Sequence, residues 1–355
     1  MFAAPARFVR LGAMKRHVAT AVLLLIVAVP LFAKHRAVSS PGNKAACNYG
    51  VLDPDVFVNT LTIDATHVYY IDEFDTTLYR IPKSGGARQQ LAQFPEVLVT
   101  AIAVDDANVY VATIVGDFSA TIPPGDIWAI PKAGGTPRTI ASGVVFVTQL
   151  ATDATHVYWV SVGTVKLDEE EILSDGKVER VTKDGSSRQV LASGLSTPTT
   201  LSVDDANVYF GERGSAVGNP SIGLRRVAKS GGTTTYLLDD HLVADLAISD
   251  NDLVFVGASA TGTAAAGLFR VARTGGAVQT LVEDENIDSP PHIVAGQVYY
   301  ITLPDESSDA LMRVPLAGGN AVLLRAANAV GNDFAVDDCG TYIGTNEDAL
   351  VKGTR

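Results

Sequence analysis

Short apolar runs, each closed by an acidic residue and a tight polar turn, return along the whole chain. The clearest is LATDATHVYW at residues 150–159, and variants begin at Leu61 (LTIDATHVYY), Ala101 (AIAVDDANVY), Leu201 (LSVDDANVYF) and Leu246 (LAISDNDLVF). Weaker copies start at His292 and Phe334. A Val-Tyr element marks the phase at Val68, Val109, Val157, Val208, Val254 (as Val-Phe), Val298 and, as Thr-Tyr, Thr341. The spacing of roughly 40–50 residues is that of one four-stranded propeller blade.

Each unit parses the same way. In the fourth, residues 200–203 predict strand A, 208–211 strand B, 224–228 strand C and 233–238 strand D. The β-branched and aromatic residues that open strand B suit a pleated surface. Lys229-Ser230-Gly231-Gly232 predicts a C–D hairpin turn with positive φ. That turn repeats at Lys83, Lys132, Lys183, Arg273 and Leu316, and no stretch sustains a helical period. The expected architecture is all-β: a seven-bladed β-propeller of four-stranded antiparallel blades. The seventh unit supplies strands at 334–337, 342–344 and 350–352 but no strand D, while an N-terminal segment, roughly 47–53, sits where a strand D belongs. This N-terminal strand is expected to close the last blade and leave no major sheet edge open.

Composition adds a compartment. The chain has 355 residues, 47% hydrophobic, and a formal charge of −12. It has the apolar content for a folded core, and its charge excludes nucleic acid as a natural partner. Lys15, Arg16 and His17 precede an apolar run at 18–32 and then Ala33, the pattern of a secretory signal, shorter than the ~20 residues of a membrane anchor. Residues 1–33 are therefore expected to be a signal peptide, with Met14 an alternative start, 34–45 a linker and 46–355 the propeller. Cleavage removes four basic residues and no acidic ones, taking the formal charge from −12 to −16. The mature chain is expected to be periplasmic or extracellular, without a membrane span. Cys47 opens the closing segment and Cys339 lies in the A–B turn of the seventh unit, so both fall on one face of one blade, and an exported chain favours a disulfide between them.

Tyr158-Trp159-Val160-Ser161 and Tyr69-Tyr70-Ile71-Asp72 resemble degenerate copies of the YWTD repeat. The phrase Asp-x-x-x-Val-Tyr, followed by Lys-x-Gly-Gly and by Leu-Ala-Ser-Gly at 191–194, is similar to repeats of bacterial secreted propellers. The resemblance spans nearly all of the mature chain and implies the fold. YWTD propellers usually have six blades where seven units are counted here, and no partner type is taken from it.

Function is expected on one side. In a propeller the A–B and C–D turns share one face and the B–C and D–A loops the other, and here the length variation falls in the B–C loops, a common mark of a binding face. That face is also the acidic one. It carries Asp72, Glu73, Asp75, Asp117, Asp168, Glu169, Glu170, Glu171, Asp175, Asp305, Glu306 and Asp309 in B–C loops, and Glu96, Asp239, Asp240, Glu283, Asp284, Glu285 and Asp288 in D–A loops. A protein, a glycan or a cationic ligand is the expected partner. No cofactor is expected; calcium is a candidate ion, with Asp168, Glu169, Glu170 and Glu171 as its weak candidate ligands, although no EF-hand or Asp-rich nonapeptide spacing occurs. The repeat position of His67 and His156 marks them as structural. His241 and His292, in D–A segments of adjacent blades, are the outside candidates for a general base in a lyase or lactonase. No Gly-x-Ser-x-Gly element or phosphate loop is present. A binding module is the preferred reading and an enzyme using His241 and His292 on the same face the rival.

Overall fold

The computed structural model describes residues 50–115, 121–167, 171–214, 221–260, 266–284, 286–287, 289–305, 308–326, 333–345, 349–353 and 355. Seven four-stranded antiparallel sheets follow one another around a ring. The fourth blade consists of Pro198–Val203, Asn207–Arg213, Ile222–Ala228 and Thr235–Leu238, in that order outward, so the expected strands are present with ends shifted by a residue or two. Gly231 and Gly232 take φ of 86° and 124° in its C–D turn, the left-handed region that a side chain would oppose.

Strand A is innermost in every blade, and each strand A touches those of the blades before and after it, the seventh meeting the first. The ring therefore closes. Its closure uses the N-terminal strand: Gly50–Pro54 pairs antiparallel with Ala349–Gly353 and forms the outer strand of blade seven. Asp53 of that strand accepts from the Tyr70 hydroxyl and from Arg88, at 3.2 Å, both in blade one. The closing strand is thus fastened to the blade that follows it.

Strand B explains the paired aromatics. It is buried on both faces, as in His67–Asp72 and His156–Ser161, because blades pack face to face on either side of it. Consecutive side chains of a strand point to opposite faces. Tyr70 accordingly joins a cluster with Ala335, Tyr342 and Leu350 of blade seven, while Tyr69 joins one with residues of blade two. Tyr158 packs toward Leu201 and Phe210 of blade four, and Trp159 packs on the side of blade two. A periodic pair of aromatics is therefore one residue for each interblade interface. Burying each such ring contributes about 2–3 kcal/mol, and their packing is what one blade alone could not supply.

A repeated bulge shapes the inner strands. The A–B register slips at the same place in the first five blades, between Val58 and Thr60, Val99 and Ala101, Val147 and Gln149, Pro198 and Thr200, and Val243 and Asp245. Bulges re-aim side chains, and several of these reach the next blade. Thr148 donates to the Thr199 carbonyl and Thr199 to the Ala244 carbonyl, both at 2.9 Å. Gln149 accepts from the Leu201 amide at 2.6 Å and from the Thr200 hydroxyl at 2.9 Å. Asp333 makes the same pair of contacts to Leu61 and Thr60 across the closing joint.

Candidate functional site

The face of A–B and C–D turns is occupied with holding the ring together. In five of the A–B turns one carboxylate oxygen caps the turn: Asp153 Oδ1 accepts from the amides of Thr155 and His156, both at 2.8 Å. The other oxygen accepts from the Tyr158 hydroxyl at 2.7 Å and pairs with Lys229 of the next blade at 2.7 Å. The arrangement repeats with Asp64, Tyr69 and Lys132; with Asp105, Tyr110 and Lys183; with Asp204, Tyr209 and Arg273; and with Asp337, Tyr342 and Lys83 across the closing joint. Burial works against the charged form of Asp153. The bonds from Lys229, the Thr155 amide, Tyr158 and the His156 amide outweigh it and hold the carboxyl well below the usual range. The same balance lowers Asp64, Asp105 and Asp204.

The joint between blades five and six lacks all three members at once. Ser249 stands in the Asp position, Val254 in the Tyr position and Leu316 in the Lys position. That joint substitution is visible in the sequence and is the signal that could have identified an interblade clamp, where the sequence suggests only turn-capping Asp residues. The same face carries an open polar cavity of about 410 Å³ between blades four and five, lined by Asp204, Asp205, Tyr209, Arg226, Asp250 and Arg273.

On the loop face, buried and exposed carboxylates differ in task. Glu212, at the end of strand B in blade four, is fully buried. It accepts from the Ser196 amide at 2.8 Å and pairs with Arg225 at 2.6 Å. Asp72 holds the equivalent place in blade one and accepts from the amides of Phe57 and Phe74, at 3.3 and 3.2 Å. Burial raises both carboxyls above their ordinary values. These two acids brace the D–A crossing against the end of strand B. Glu73, Asp75, Glu96, Asp175, Asp239 and Glu283 are exposed.

The two histidines are not brought together. His241 opens strand A of blade five, opposite Ser259 at the loop end. Its Nδ1 lies 2.6 Å from Asp240 Oδ1, and its ring meets Phe255 and Phe269 edge-on at 5.8 and 5.6 Å. His292 pairs with Tyr299, next to the A–B turn of blade six, and its ring packs on Phe334 at 4.5 Å. Ser259 stands five residues above Val254, the counterpart of Tyr299, so at ~3.3 Å per residue the two imidazoles differ in height by about 16 Å. The expectation that both share the loop face is corrected for His292. The cause is the short inner strand of blade six, His292–Val294, which begins only after the Pro290-Pro291 pair.

Asp168, Glu169 and Glu170 lie outside the described residues, and Glu171 is described only as backbone, in the small hairpin that pairs Val165–Lys166 with Glu171–Ile172. Among the described residues no group of three or more His, Cys, Asp or Glu side chains is placed to hold a metal ion. Cys339 sits in the A–B turn of blade seven, its amide bonded to Asp337. Cys47 and the expected signal segment lie outside the described residues. Among the described residues no helix is long and apolar enough to cross a membrane.

No protein-family model matches the sequence, and no curated protein matches it. Solved structures do. The chain is similar to a streptogramin B lyase, with TM-score 0.57 and 14% identity over 86% of this chain and 95% of the other. It is similar to an oligogalacturonate lyase in complex with manganese, with TM-score 0.60 and 9% identity over 86% and 91%. It is also similar to YCF48 bound to D1 peptide, with TM-score 0.55 and 9% identity over 91% and 99%. At these identities the likeness is one of fold alone, and it spans both enzymes and a peptide-binding protein.

Proposed function

We propose that the chain is an exported propeller, with YWTD-like repeats, that binds a protein, a glycan or a cationic ligand through its B–C and D–A loops. One observation carries this reading: the acidic groups of the two faces are used differently. On the turn face, the repeated A–B carboxylate is tied to a tyrosine and a neighbouring blade's cation at five joints, with exposed acids such as Asp205 and Asp250 beside it. On the loop face, exposed carboxylates stand on loops of unequal length. A propeller of like fold that holds a peptide supports the reading by analogy. An enzyme is the second reading. The Asp240–His241 pair favours it, since a carboxylate on Nδ1 fixes the tautomer that a general base needs.

The face is tested on a poly-lysine sensor at low salt. Neutralising the loop by Asp168→Asn with Glu169→Gln, Glu170→Gln and Glu171→Gln is expected to slow association severalfold, as loss of electrostatic steering does. Asp205→Asn with Asp250→Asn, on the turn face, is expected to leave it unchanged. Equal effects on both faces would remove the proposal.

Export and the Cys47–Cys339 bridge are read together by mass spectrometry of the secreted chain. The register supports the bridge: Gly50 lies opposite Lys352, which lies opposite Tyr342, so the closing strand begins at the end of the blade where Cys339 sits. The expected product starts at Lys34 and yields a Cys47–Cys339 linked peptide. Free thiols on both peptides would remove the bridge, and an uncleaved N-terminus would remove the signal.

A further inference from the structure

Blade one presents an aromatic side chain to solvent in an unusual way. Phe74, in the B–C loop, is 59% exposed, and it is the one exposed phenylalanine among the described residues. Single exposed apolar residues are ordinary, and Val190, Tyr236, Val322 and Leu323 lie on outer strands where such exposure is common. Phe74 differs because it is held. The buried Asp72 carboxylate accepts both its amide and that of Phe57, in the segment joining the closing strand to blade one. The Glu73 amide donates to the Phe57 carbonyl at 2.8 Å, and the Phe94 amide to the Thr76 carbonyl at 3.0 Å. The Gln93 side chain donates to the Asp75 carbonyl. The two rings pair at 6.0 Å with a 51° tilt.

The loop is also strained to keep this shape. Asp55, in the segment before Phe57, and Thr76 adopt φ of 58° and 54°, a conformation unfavourable for a residue with a side chain that persists where the surroundings impose it. Asp55, Glu73 and Asp75, all exposed, lie within two residues of Phe57 or Phe74 in the chain, and the nearby cation, Arg88, is paired with Asp53 and Asp72 at 3.2 and 3.7 Å. An exposed aromatic pair in a net acidic surround attracts one kind of partner. Cations are drawn to the ring face and to the carboxylates alike, and an apolar side chain between them covers the ring. A pre-ordered anchor with a polar rim is the usual make-up of an interface hot spot.

We propose that the Phe57–Phe74 pair is the anchor for a basic segment of a partner protein, one that alternates lysine or arginine with an apolar residue. This rests on the loop-face reading above and assigns it a place and a partner. The probe is a fluorescein-labelled heptapeptide of alternating lysine and leucine, with a glutamate–leucine counterpart, read by anisotropy against the full mature chain. The lysine peptide is expected to bind and the glutamate peptide not. Phe74→Ala is expected to weaken binding at least about tenfold, Phe74→Tyr to retain it, and Leu323→Ser, on the outer edge of blade six, to leave it unchanged. Phe74 is exposed, and an unaltered thermal midpoint separates lost binding from lost folding. Absence of binding, equal binding of the two peptides, or equal binding by wild type and Phe74→Ala overturns the proposal. If Phe74→Ala leaves peptide binding intact while neutralising Asp168, Glu169, Glu170 and Glu171 abolishes it, the anchor is overturned and the loop-face reading stands. Phe74-dependent binding of a neutral oligosaccharide, with the lysine peptide silent, also overturns it.

Discussion

A chain that begins at Val56 is expected to lose its single cooperative thermal transition, with a midpoint lower by roughly 10 °C or more and with association into larger species. The closing strand Gly50–Pro54 is the outer strand of blade seven, and without it the strand Ala349–Gly353 presents an unpaired edge. Such an edge is a template for pairing with another chain. The deletion also strips Asp53 from the buried Tyr70 hydroxyl, which loses its acceptor, and from Arg88, which keeps Asp72 at 3.7 Å. The milder Asp53→Ala isolates this second effect, at about 1–3 kcal/mol for the buried Tyr70 hydroxyl left without its acceptor. Calorimetry and size-exclusion chromatography read both variants. If the truncated chain melts as the full one does, the ring is not held by this strand.

Asp153→Ala is expected to cost about 2–4 kcal/mol at neutral pH. The carboxylate serves two turn amides, the Tyr158 hydroxyl and Lys229 of the next blade, and alanine replaces none of these. Ser249→Ala, at a joint without a clamp, is expected to cost well under half as much. The effect carries a pH signature. Asp153 has a folded pKa below its unfolded value of ~3.9, so the unfolded chain binds the proton more tightly. The stabilisation is present in full above the unfolded pKa and is lost as pH falls through the depressed folded value. Asp64, Asp105 and Asp204 act in the same direction. Urea unfolding at pH 7 and pH 3 therefore reads a gap between wild type and Asp153→Ala that narrows in acid. A gap no larger than that of Ser249→Ala, or one that is the same at both pH values, would show that the clamp does not bear on stability.

The clamp and the loop-face brace show where reading by repeats stops. The repeated Asp of the A–B turn is legible as a turn cap because the amides it serves are two and three residues away. Its cation comes from the next blade, 76 residues on for Asp153 and Lys229, and no local pattern specifies that contact. Asp72 and Glu212 read in sequence as two more acids of an acidic face, or as a strand end. Their burial and their bonds to the D–A crossing come from how the end of strand B meets the segment that leads into the inner strand of the same blade. Nothing in the local pattern marks Phe74 for the same reason: its 59% exposure is set by how the loop is held, not by its neighbours in the chain.

By itself the sequence determined the all-β class, the number of blades, the four strands of each, the glycine turns and the completion of the last blade by the N-terminal strand. Each of these rests on hydrophobic alternation and turn chemistry within a few residues, repeated often enough to show its phase. The tertiary structure alone decided which blade's lysine meets which aspartate. It alone separated bracing from exposed carboxylates on the loop face and placed His241 and His292 at different heights. Those outcomes depend on how blades are staggered around the closed ring, and the stagger is set by non-local packing of inner strands and paired aromatics.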